Sequence, residues 1–312
     1  MGALSLCVSP TVCILSCVLF DVWFVGGLYI WRLFGFSNSP RDRSDVILRR
    51  SISCGLACVV SAVTLLLLAK PANTATGRGV SFATLIGFGA GASWLSLLLL
   101  PVALASVLYI GLIVEATCDV LVGHPSWLEG WLKAGKQPFL PSARQSTMSL
   151  AVSFRNYIMA PFAEEFVFRA CVIALFAAGG ASSWQVVALS PLVFSLAHCH
   201  HYVQQHPQYG HTKALLNIAG QVLYTSVFGS AAAYVYVRTG HLVPAILLHA
   251  LCNYLSIPDA RWWSDPKHVH YCRRHFLVVC YGLGVVLFIV SLGPLTKGYP
   301  SMYSSYAEVH GC

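Results

Sequence analysis

The chain has 312 residues, of which 57% are hydrophobic and 10% are charged, and its mean hydropathy is +0.69. Soluble domains carry about 25% charged residues, so this composition excludes a soluble globular protein and indicates a polytopic membrane protein. The formal net charge of +8 lacks the clustering of a nucleic-acid-binding face. We attribute it to membrane topology and to contact with anionic membrane lipid, and we expect no nucleic acid partner.

A helix needs about 20 mostly apolar residues to cross the hydrocarbon core of a bilayer. The chain offers about eight such stretches, which predicts an all-α fold with about eight transmembrane helices. In chain order they lie near residues 10–33, 46–69, 82–117, 149–177, 184–200, 216–237, 241–257 and 276–293. The long third stretch is either one tilted helix or two segments broken near Pro101. Since internal repeats are not evident, we expect a single integral membrane domain over residues 1–312.

The positions of Lys and Arg predict the orientation of the chain. With eight spans, Lys70, Arg78, Arg238 and Lys297 fall on one side of the membrane, and most other basic residues fall on the opposite side. Cytosolic loops carry the excess of positive charge, so the opposite side is predicted to be cytosolic and both termini lumenal or exterior. The longest polar connection, near residues 118–148, is predicted to be an interfacial, amphipathic stretch.

A first polar motif, Glu164-Glu165 with Arg169, interrupts apolar sequence. Ionisable side chains are costly inside a bilayer, so each suggests a functional site. Glu165 and Arg169 lie four residues apart and can pair on one helix face, whereas Glu164 is rotated by about 100° and stays available. An equally good interpretation is that both glutamates neutralise Arg169 or Arg155 in a buried network.

A second motif places Phe194 four residues before His198. On a helix the two side chains share a face, so the aromatic ring could form the wall of a pocket that the imidazole enters. Taken alone, a histidine near a helix end is more often an interfacial or hydrogen-bonded residue. The neighbouring His200 and His201 are equally consistent with a cluster at headgroup level.

A third motif places His249 four residues before Asn253 in an apolar run. Such a pair supplies two hydrogen-bond donors that point in one direction, as stabilising a carbonyl oxyanion requires. A polar contact between two helices is an equally good interpretation. Pro161, Pro191 and Pro244 lie shortly before or within the three motifs, and we expect them to kink their helices and open a water-lined cavity.

Together, the acidic pair with arginine, Phe-x-x-x-His and His-x-x-x-Asn resemble the three motifs of the CAAX-protease and bacteriocin-processing superfamily of intramembrane proteins. Arg155-Asn156, the run from Glu164 to Cys171, and the run from Arg238 to Leu242 are similar, more specifically, to the Ras-converting type II CAAX endopeptidases of eukaryotes. The similarity is strongest over residues 154–258, which are therefore predicted to be the catalytic helices.

The resemblance implies an enzyme that removes the last three residues from CAAX proteins whose cysteine carries a farnesyl or geranylgeranyl group. Ras-like and other small GTPases are the implied partners. The implied location is the endoplasmic reticulum membrane, with an active site that is accessible from the cytosol. No metal ion or other cofactor is implied.

The resemblance also implies roles for individual residues. Glu164 would be the general base, and His198 would help it hold and activate a water molecule. His249 and Asn253 would stabilise the oxyanion. The predicted catalytic residues are Glu164, His198, His249 and Asn253, and the predicted supporting residues are Glu165, Arg169 and Phe194.

Two alternatives remain open at this point. A zinc protease could use Glu164, His198 and His249 as ligands, although the H-E-x-x-H helix motif is absent. A transporter or a non-catalytic scaffold could use the buried acids and histidines for proton relay, although the inverted repeats typical of transporters are not found. Chelator sensitivity separates the first alternative from a metal-free hydrolase, and tolerance of Glu164→Gln identifies a scaffold.

Overall fold

The computed structural model describes residues 4–36, 41–71, 80–89, 91–121, 150–258 and 261–302. Most residues in these ranges belong to helices, and the described strands form one short antiparallel pair, β1 (Leu4–Ser5) with β2 (Lys70–Pro71). The predicted all-α class is therefore confirmed. The interfacial stretch predicted near residues 118–148 lies outside the described residues from position 122 onward.

The described helices before position 122 are α1 (Pro10–Tyr29), α2 (Ser44–Leu68), α3 (Phe82–Leu85), α4 (Trp94–Leu108) and α5 (Ile110–Leu121). A 3-10 turn over Ile30–Phe34 extends α1. The side chain of Ser9 accepts a hydrogen bond from the backbone N–H of Val12, which caps the start of α1.

Helix α6 runs through residues 150–178 and alternates between two geometries. Its α-helical segments are Leu150–Phe154, Ala160–Glu165 and Val172–Ala178, and its π-helical segments are Arg155–Met159 and Phe166–Cys171. The later helices are α7 (Ser183–Leu196), α8 (His201–Tyr209), α9 (His211–Thr239), α10 (Leu242–Leu255), α11 (Arg261–Ser264) and α12 (Arg274–Leu295). The 3-10 turns Ala197–His200 and Tyr271–Arg273 precede α8 and α12.

Five continuous helical stretches are long and apolar enough to cross a membrane. They are Pro10–Phe34, Ser44–Leu68, Ser183–Tyr209, His211–Thr239 and Tyr271–Leu295, and the bent pair of α4 with α5 adds a sixth if it is one span. The chain is thus a multi-pass membrane protein. These criteria give five or six spans in the described residues, where hydropathy predicts eight.

The difference has two physical causes. All eight apolar stretches contain helices, but α10 has only 14 residues, and at 1.5 Å per residue it is about 21 Å long, short of a hydrocarbon core of about 30 Å. Helix α6 is long enough, but every 18-residue window in it carries at least three charged side chains, Glu164 and Glu165 with Arg155 or Arg169, where an apolar span carries at most two. A long apolar stretch is therefore not enough to identify a span.

The third apolar stretch is indeed two helical segments, but the predicted position of the break is wrong. Pro101 lies inside α4 without ending it, and the 66° bend falls between Leu108 and Ile110. Beyond the bend, Gly111 of α5 packs directly against Tyr281 of α12. Close packing between α5 and α12 therefore accompanies the bend, and the proline does not cause it.

Helix α6 occupies the centre of the bundle. Almost every residue from 166 to 178 is buried, including Arg169, the largest fully buried side chain among the described residues. A helix that is buried on all sides needs neighbours on all sides, and α6 contacts α1, α2, α7, α9 and α10. The first motif thus lies on a helix that other helices enclose.

The two described ends of the chain lie at the same end of the bundle. Leu4 exchanges backbone hydrogen bonds with Val80, at 2.8 and 2.9 Å, and Ser301 donates to the carbonyl oxygen of Val237 at 3.1 Å. The N–H of Leu242 donates to the carbonyl oxygen of Gly87, which joins these two groups of contacts. This arrangement is the one expected for an even number of crossings.

Substitution of Gly111 tests the packing of α5 on α12. A Cβ atom at this position would lie only 2.8 Å from Cα of Tyr281, and backbone cannot move aside as a flexible side chain can. Overpacking typically costs about 1–3 kcal/mol, so we expect Gly111→Ala to lower the melting temperature in detergent. The matched control is Gly282→Ala on α12, where a Cβ would meet nothing within 4 Å. Equal melting temperatures for the two variants would contradict this packing.

Candidate active site

A cavity of about 710 Å³ lies among helices α1, α6, α7, α9 and α10. Its walls include the side chains of Glu164, His198, His249 and Asn253. The structure thus brings the four predicted catalytic residues, from three different motifs, to one space. Pockets of about 300–1,000 Å³ are typical of small-molecule and cofactor sites, so the cavity has the volume for a short peptide segment.

Helix α6 presents its two adjacent glutamates to different surroundings. The side chain of Glu164 keeps 22% of its surface exposed and lines the cavity, whereas the side chain of Glu165 is 0% exposed. Both lie in the short α-helical segment between the two π-helical segments. Because π-helical turns are rare and occur frequently at functional sites, this local geometry marks the glutamate pair as a site of interest.

Glu165 contacts two buried cationic or ionisable partners. Its Oε2 lies 3.1 Å from Nε of Arg169, close enough for an ion pair although the angles are not those of a hydrogen bond. Its Oε1 lies 2.7 Å from Nδ1 of His249. The predicted pairing with Arg169 is present in the structure, and the contact with His249 was not predicted. One carboxylate therefore joins α6 to α10.

Arg169 is enclosed by rings and small residues. Its guanidinium lies over the ring of Phe194 at 4.5 Å from the centroid, an arrangement in which the ring face attracts the cation. A Cβ at Gly229 would come within 3.2 Å of Nη2 of Arg169 and 2.9 Å of Cβ of Pro191. Glycine at that position therefore provides the space for the guanidinium beside α9.

Phe194 is also in contact with the second motif's histidine. Its ring meets the ring of His198 edge to face, with 4.9 Å between centroids. Nδ1 of His198 lies 3.0 Å from the carbonyl oxygen of Phe194. A carbonyl oxygen only accepts hydrogen bonds, so Nδ1 carries the proton and the neutral ring keeps a lone pair on Nε2. The predicted wall formed by Phe194 beside His198 is present in the structure.

His249 lies between the two glutamates. Its Nε2 is 3.8 Å from Oε2 of Glu164, and its ring packs edge to face on Phe228 at 5.1 Å between centroids. Because Nδ1 faces Glu165, a neutral ring presents Nε2 as an acceptor. Only the protonated ring presents an N–H toward the cavity. An oxyanion-stabilising role for His249 therefore requires the imidazolium.

Asn253 is anchored to α6 by its side chain. Its Nδ2 donates a hydrogen bond to the carbonyl oxygen of Asn156 at 3.0 Å. The amide nitrogen carries two hydrogens, so the amide can bridge α10 to α6 and still offer a donor to the cavity. Asn253 thus satisfies both interpretations of the third motif, as a contact between helices and as a hydrogen-bond donor.

Arg155 has a partner other than the glutamates. Its Nη1 lies 2.8 Å from Oδ1 of Asp42 and donates to the carbonyl oxygen of Arg41 at 3.1 Å. Among the ion pairs of the described residues, Glu165 alone pairs with Arg169. Within the described residues, Glu165 is thus the glutamate in direct contact with an arginine, whereas Glu164 forms no ion pair with one and interacts with Arg169 and Arg41 only at longer range.

The three prolines differ in their effect on the helices. Pro161 and Pro191 lie within continuous helical runs, where each removes a backbone donor. Pro244 is the third residue of α10, in the first turn, where backbone N–H groups have no partner within the helix. The expected kink is therefore wrong for Pro244.

The zinc alternative finds no support in the placement of the side chains. Within the described parts of the chain, no three His, Cys, Asp or Glu side chains form a group that could hold a metal ion. Nδ1 of His249 is engaged by Glu165 at 2.7 Å, and Nδ1 of His198 is engaged by a backbone carbonyl. These contacts orient both rings without a metal.

Comparison with known proteins identifies the family. Residues 146–255 match the family described as Type II CAAX prenyl endopeptidase Rce1-like. Human CAAX prenyl protease 2 is 32% identical over 296 residues, which cover 94% of this chain and 83% of the human protein. The chain belongs to the type II CAAX prenyl endopeptidases. The resemblance inferred from the motifs is thereby confirmed.

Further relatives agree with this membership. CAAX prenyl protease 2 of Arabidopsis thaliana is 28% identical over 308 residues, which cover 95% of this chain and 93% of the plant protein. The Saccharomyces cerevisiae protein of the same name is 35% identical over 147 residues, 45% of this chain and 44% of its own length. No solved structure matches this endopeptidase.

The two adjacent glutamates of this endopeptidase should differ in their effect on stability. Glu165→Gln leaves the buried charge of Arg169 uncompensated, and breaking a buried pair typically costs about 3–5 kcal/mol. Glu164→Gln changes a partly exposed side chain that forms no ion pair with any arginine of the described residues. We therefore expect a much lower melting temperature in detergent for Glu165→Gln than for Glu164→Gln, and equal values would argue against the Glu165–Arg169 pairing.

Proposed function

We propose that this endopeptidase removes the last three residues of farnesylated or geranylgeranylated CAAX proteins, Ras-like small GTPases among them, at the endoplasmic reticulum membrane. The observation that carries the proposal is the convergence of Glu164, His198, His249 and Asn253 on one cavity of a membrane-embedded helix bundle. The family membership supplies the substrate class, and the cavity supplies candidate groups for hydrolysis.

Glu164 acts as the general base in this proposal. Its carboxylate is accessible from the cavity, and Nε2 of His249 lies 3.8 Å from its Oε2. A water molecule held between Glu164 and His198 gives a proton to the carboxylate. Its oxygen then attacks the carbonyl carbon of the prenylated cysteine. Nε2 of His198 suits the water-holding role because it keeps a lone pair when Nδ1 donates to Phe194.

Asn253 and His249 stabilise the negative charge that develops on the carbonyl oxygen. Removing one such donor typically costs about 10²–10³ in rate. As the intermediate collapses, the C–N bond breaks and Glu164 returns its proton to the departing amine. The products are a prenylcysteine carboxylate and a free tripeptide. No step needs a covalent enzyme intermediate.

The surroundings of the cavity suit a substrate that carries a lipid. Phe24, Val25 and Leu28 of α1 line the cavity together with Phe168 of α6. These apolar side chains lie in the same space as the polar groups around Glu164. A prenyl chain can therefore lie against these apolar side chains while the carbonyl group of its cysteine reaches the polar groups around Glu164.

Release of the C-terminal tripeptide tests the proposed reaction. Reconstituted protein is incubated with a farnesylated CAAX peptide, with and without a chelator, and the tripeptide is quantified. We expect Glu164→Gln to lower the rate by roughly 10²–10⁴-fold, the usual contribution of a general base. The matched control is Glu115→Gln, because Glu115 binds Tyr281 away from the cavity.

Each other outcome of this experiment contradicts a part of the proposal. Loss of activity with chelator would favour the zinc alternative. Retention of activity in Glu164→Gln would remove Glu164 as the base. Failure of folded wild-type protein to cleave the peptide would contradict the proposed substrate and favour a scaffold.

The orientation of the active site can be tested separately. Arg41 and Arg155 lie near the cavity, whereas Lys70 lies beside Ser5 at the end of the bundle that holds both described chain ends. Cytosolic loops carry the excess of positive charge, so we expect the end of the bundle that holds Arg41 and Arg155 to face the cytosol. We expect a glycosylation acceptor inserted near residues 118–148 to stay unmodified in microsomes and one fused after Cys312 to be modified. The reverse pattern would overturn the cytosolic orientation.

A further inference from the structure

One cavity-lining arginine, Arg41, forms no ion pair with a carboxylate of the described residues. Arg41 is accessible to solvent and contributes to the cavity wall. The described ion pairs of this region join Asp42 to Arg155 and Asp45 to Arg43 and Arg49, and none of them includes Arg41. A guanidinium in a partly desolvated cavity favours an anionic partner.

The segment that carries Arg41 is held in place by Arg155. Nη1 of Arg155 contacts both the carbonyl oxygen of Arg41, at 3.1 Å, and Oδ1 of Asp42, at 2.8 Å. Nε of Arg155 donates to Oδ1 of Asn156 at 2.9 Å. Arg155 thus holds the backbone of Arg41 against α6. The side chain of Arg41 lines the cavity beside it.

The charges around Arg41 leave an excess of positive charge. The side chains of Arg50 and Arg155 lie close enough to repel it, and those of Asp42 and Glu164 lie close enough to attract it. Asp42 is already paired with Arg155. Glu164, the proposed base, lines the same cavity as Arg41. An anion that binds Arg41 would therefore lie near the site of hydrolysis.

The substrate supplies such an anion at a fixed distance. A CAAX protein ends in a free α-carboxylate, and cleavage after the prenylated cysteine leaves three residues between the broken bond and that carboxylate. Three extended residues span at most about 10–11 Å. An arginine fork matches the two oxygens of a carboxylate and can bind both at once.

We propose that Arg41 binds the C-terminal α-carboxylate of the substrate, in a subsite of the cavity that Arg155 and Asp42 hold in position. This subsite rests on the proposed function. Binding of the terminal carboxylate at this subsite would place the peptide bond three residues before the C-terminus at the catalytic groups. Hydrolysis then occurs at one bond because the carboxylate and the prenyl group fix the two sides of the substrate.

A comparison of two peptides tests the subsite. One is a farnesylated CAAX peptide with a free carboxylate, and the other is the same peptide with a C-terminal carboxamide. kcat/KM is measured for both with reconstituted wild type, Arg41→Gln and Arg43→Gln. Arg43→Gln is the matched control, since Arg43 pairs with Asp45 and is not among the described residues that line the cavity.

Wild type should prefer the carboxylate peptide by roughly 10-fold to 100-fold, the usual size of a charge-assisted interaction. Arg41→Gln should lose this preference and cleave both peptides at nearly the rate that wild type shows on the carboxamide. Arg43→Gln should keep the preference. Cleavage of the carboxamide by Arg41→Gln also demonstrates that the variant is folded.

Three outcomes would count against the proposal in different ways. Equal cleavage of the two peptides by wild type would mean that the carboxylate is not recognised. An unchanged preference in Arg41→Gln would mean that another group binds it. Cleavage of neither peptide by wild type would contradict the proposed function itself.

If Arg41→Gln does not fold, Arg41→Lys answers the same question. Lysine keeps the charge but loses the planar fork of donors. A reduced preference for the carboxylate peptide would support the subsite, and an unchanged preference would overturn it.

Discussion

The arrangement of the site depends on one buried carboxylate. Glu165 is completely enclosed, and moving an ion from water into a protein interior costs several kcal/mol unless partners compensate it. Arg169 supplies a counter-charge and His249 supplies a close contact to the other oxygen. The carboxylate of Glu165 therefore compensates the charge of Arg169 within α6 and orients the imidazole ring of His249 on α10. The neighbouring Glu164 can stay accessible because Glu165 carries this structural task.

The need to compensate charge extends outward from Glu165. Arg169 lies over Phe194, and Phe194 contacts His198, so His249 and His198 are joined through a continuous series of buried side chains. A membrane interior provides little water to solvate such groups. Each polar side chain of the motifs must therefore find its partner within the protein, which explains why residues far apart in sequence lie close together.

The sequence predicted those parts of the site that depend on local spacing or on the family resemblance. Four-residue spacing predicted the pairing of Glu165 with Arg169, and the motifs predicted which residues line the cavity. The contact between His249 and Glu165 joins residues 84 positions apart, so only helix packing could reveal it. The pairing of Arg155 with Asp42 is long-range for the same reason. Hydropathy found the apolar stretches but could not judge whether a helix as short as α10, or one with four charged residues such as α6, spans a bilayer.

The alternation of helix geometry in α6 has a consequence for the shape of the catalytic wall. Asn156, Ala160, Glu164 and Phe168 all line the cavity at intervals of four residues. In a regular α-helix, positions four apart drift around the axis by about 40°, so the first and last would face different directions. The wider turns of the π-helical segments offset this drift. Four residues can therefore form one straight stripe, and Glu164 lies within it.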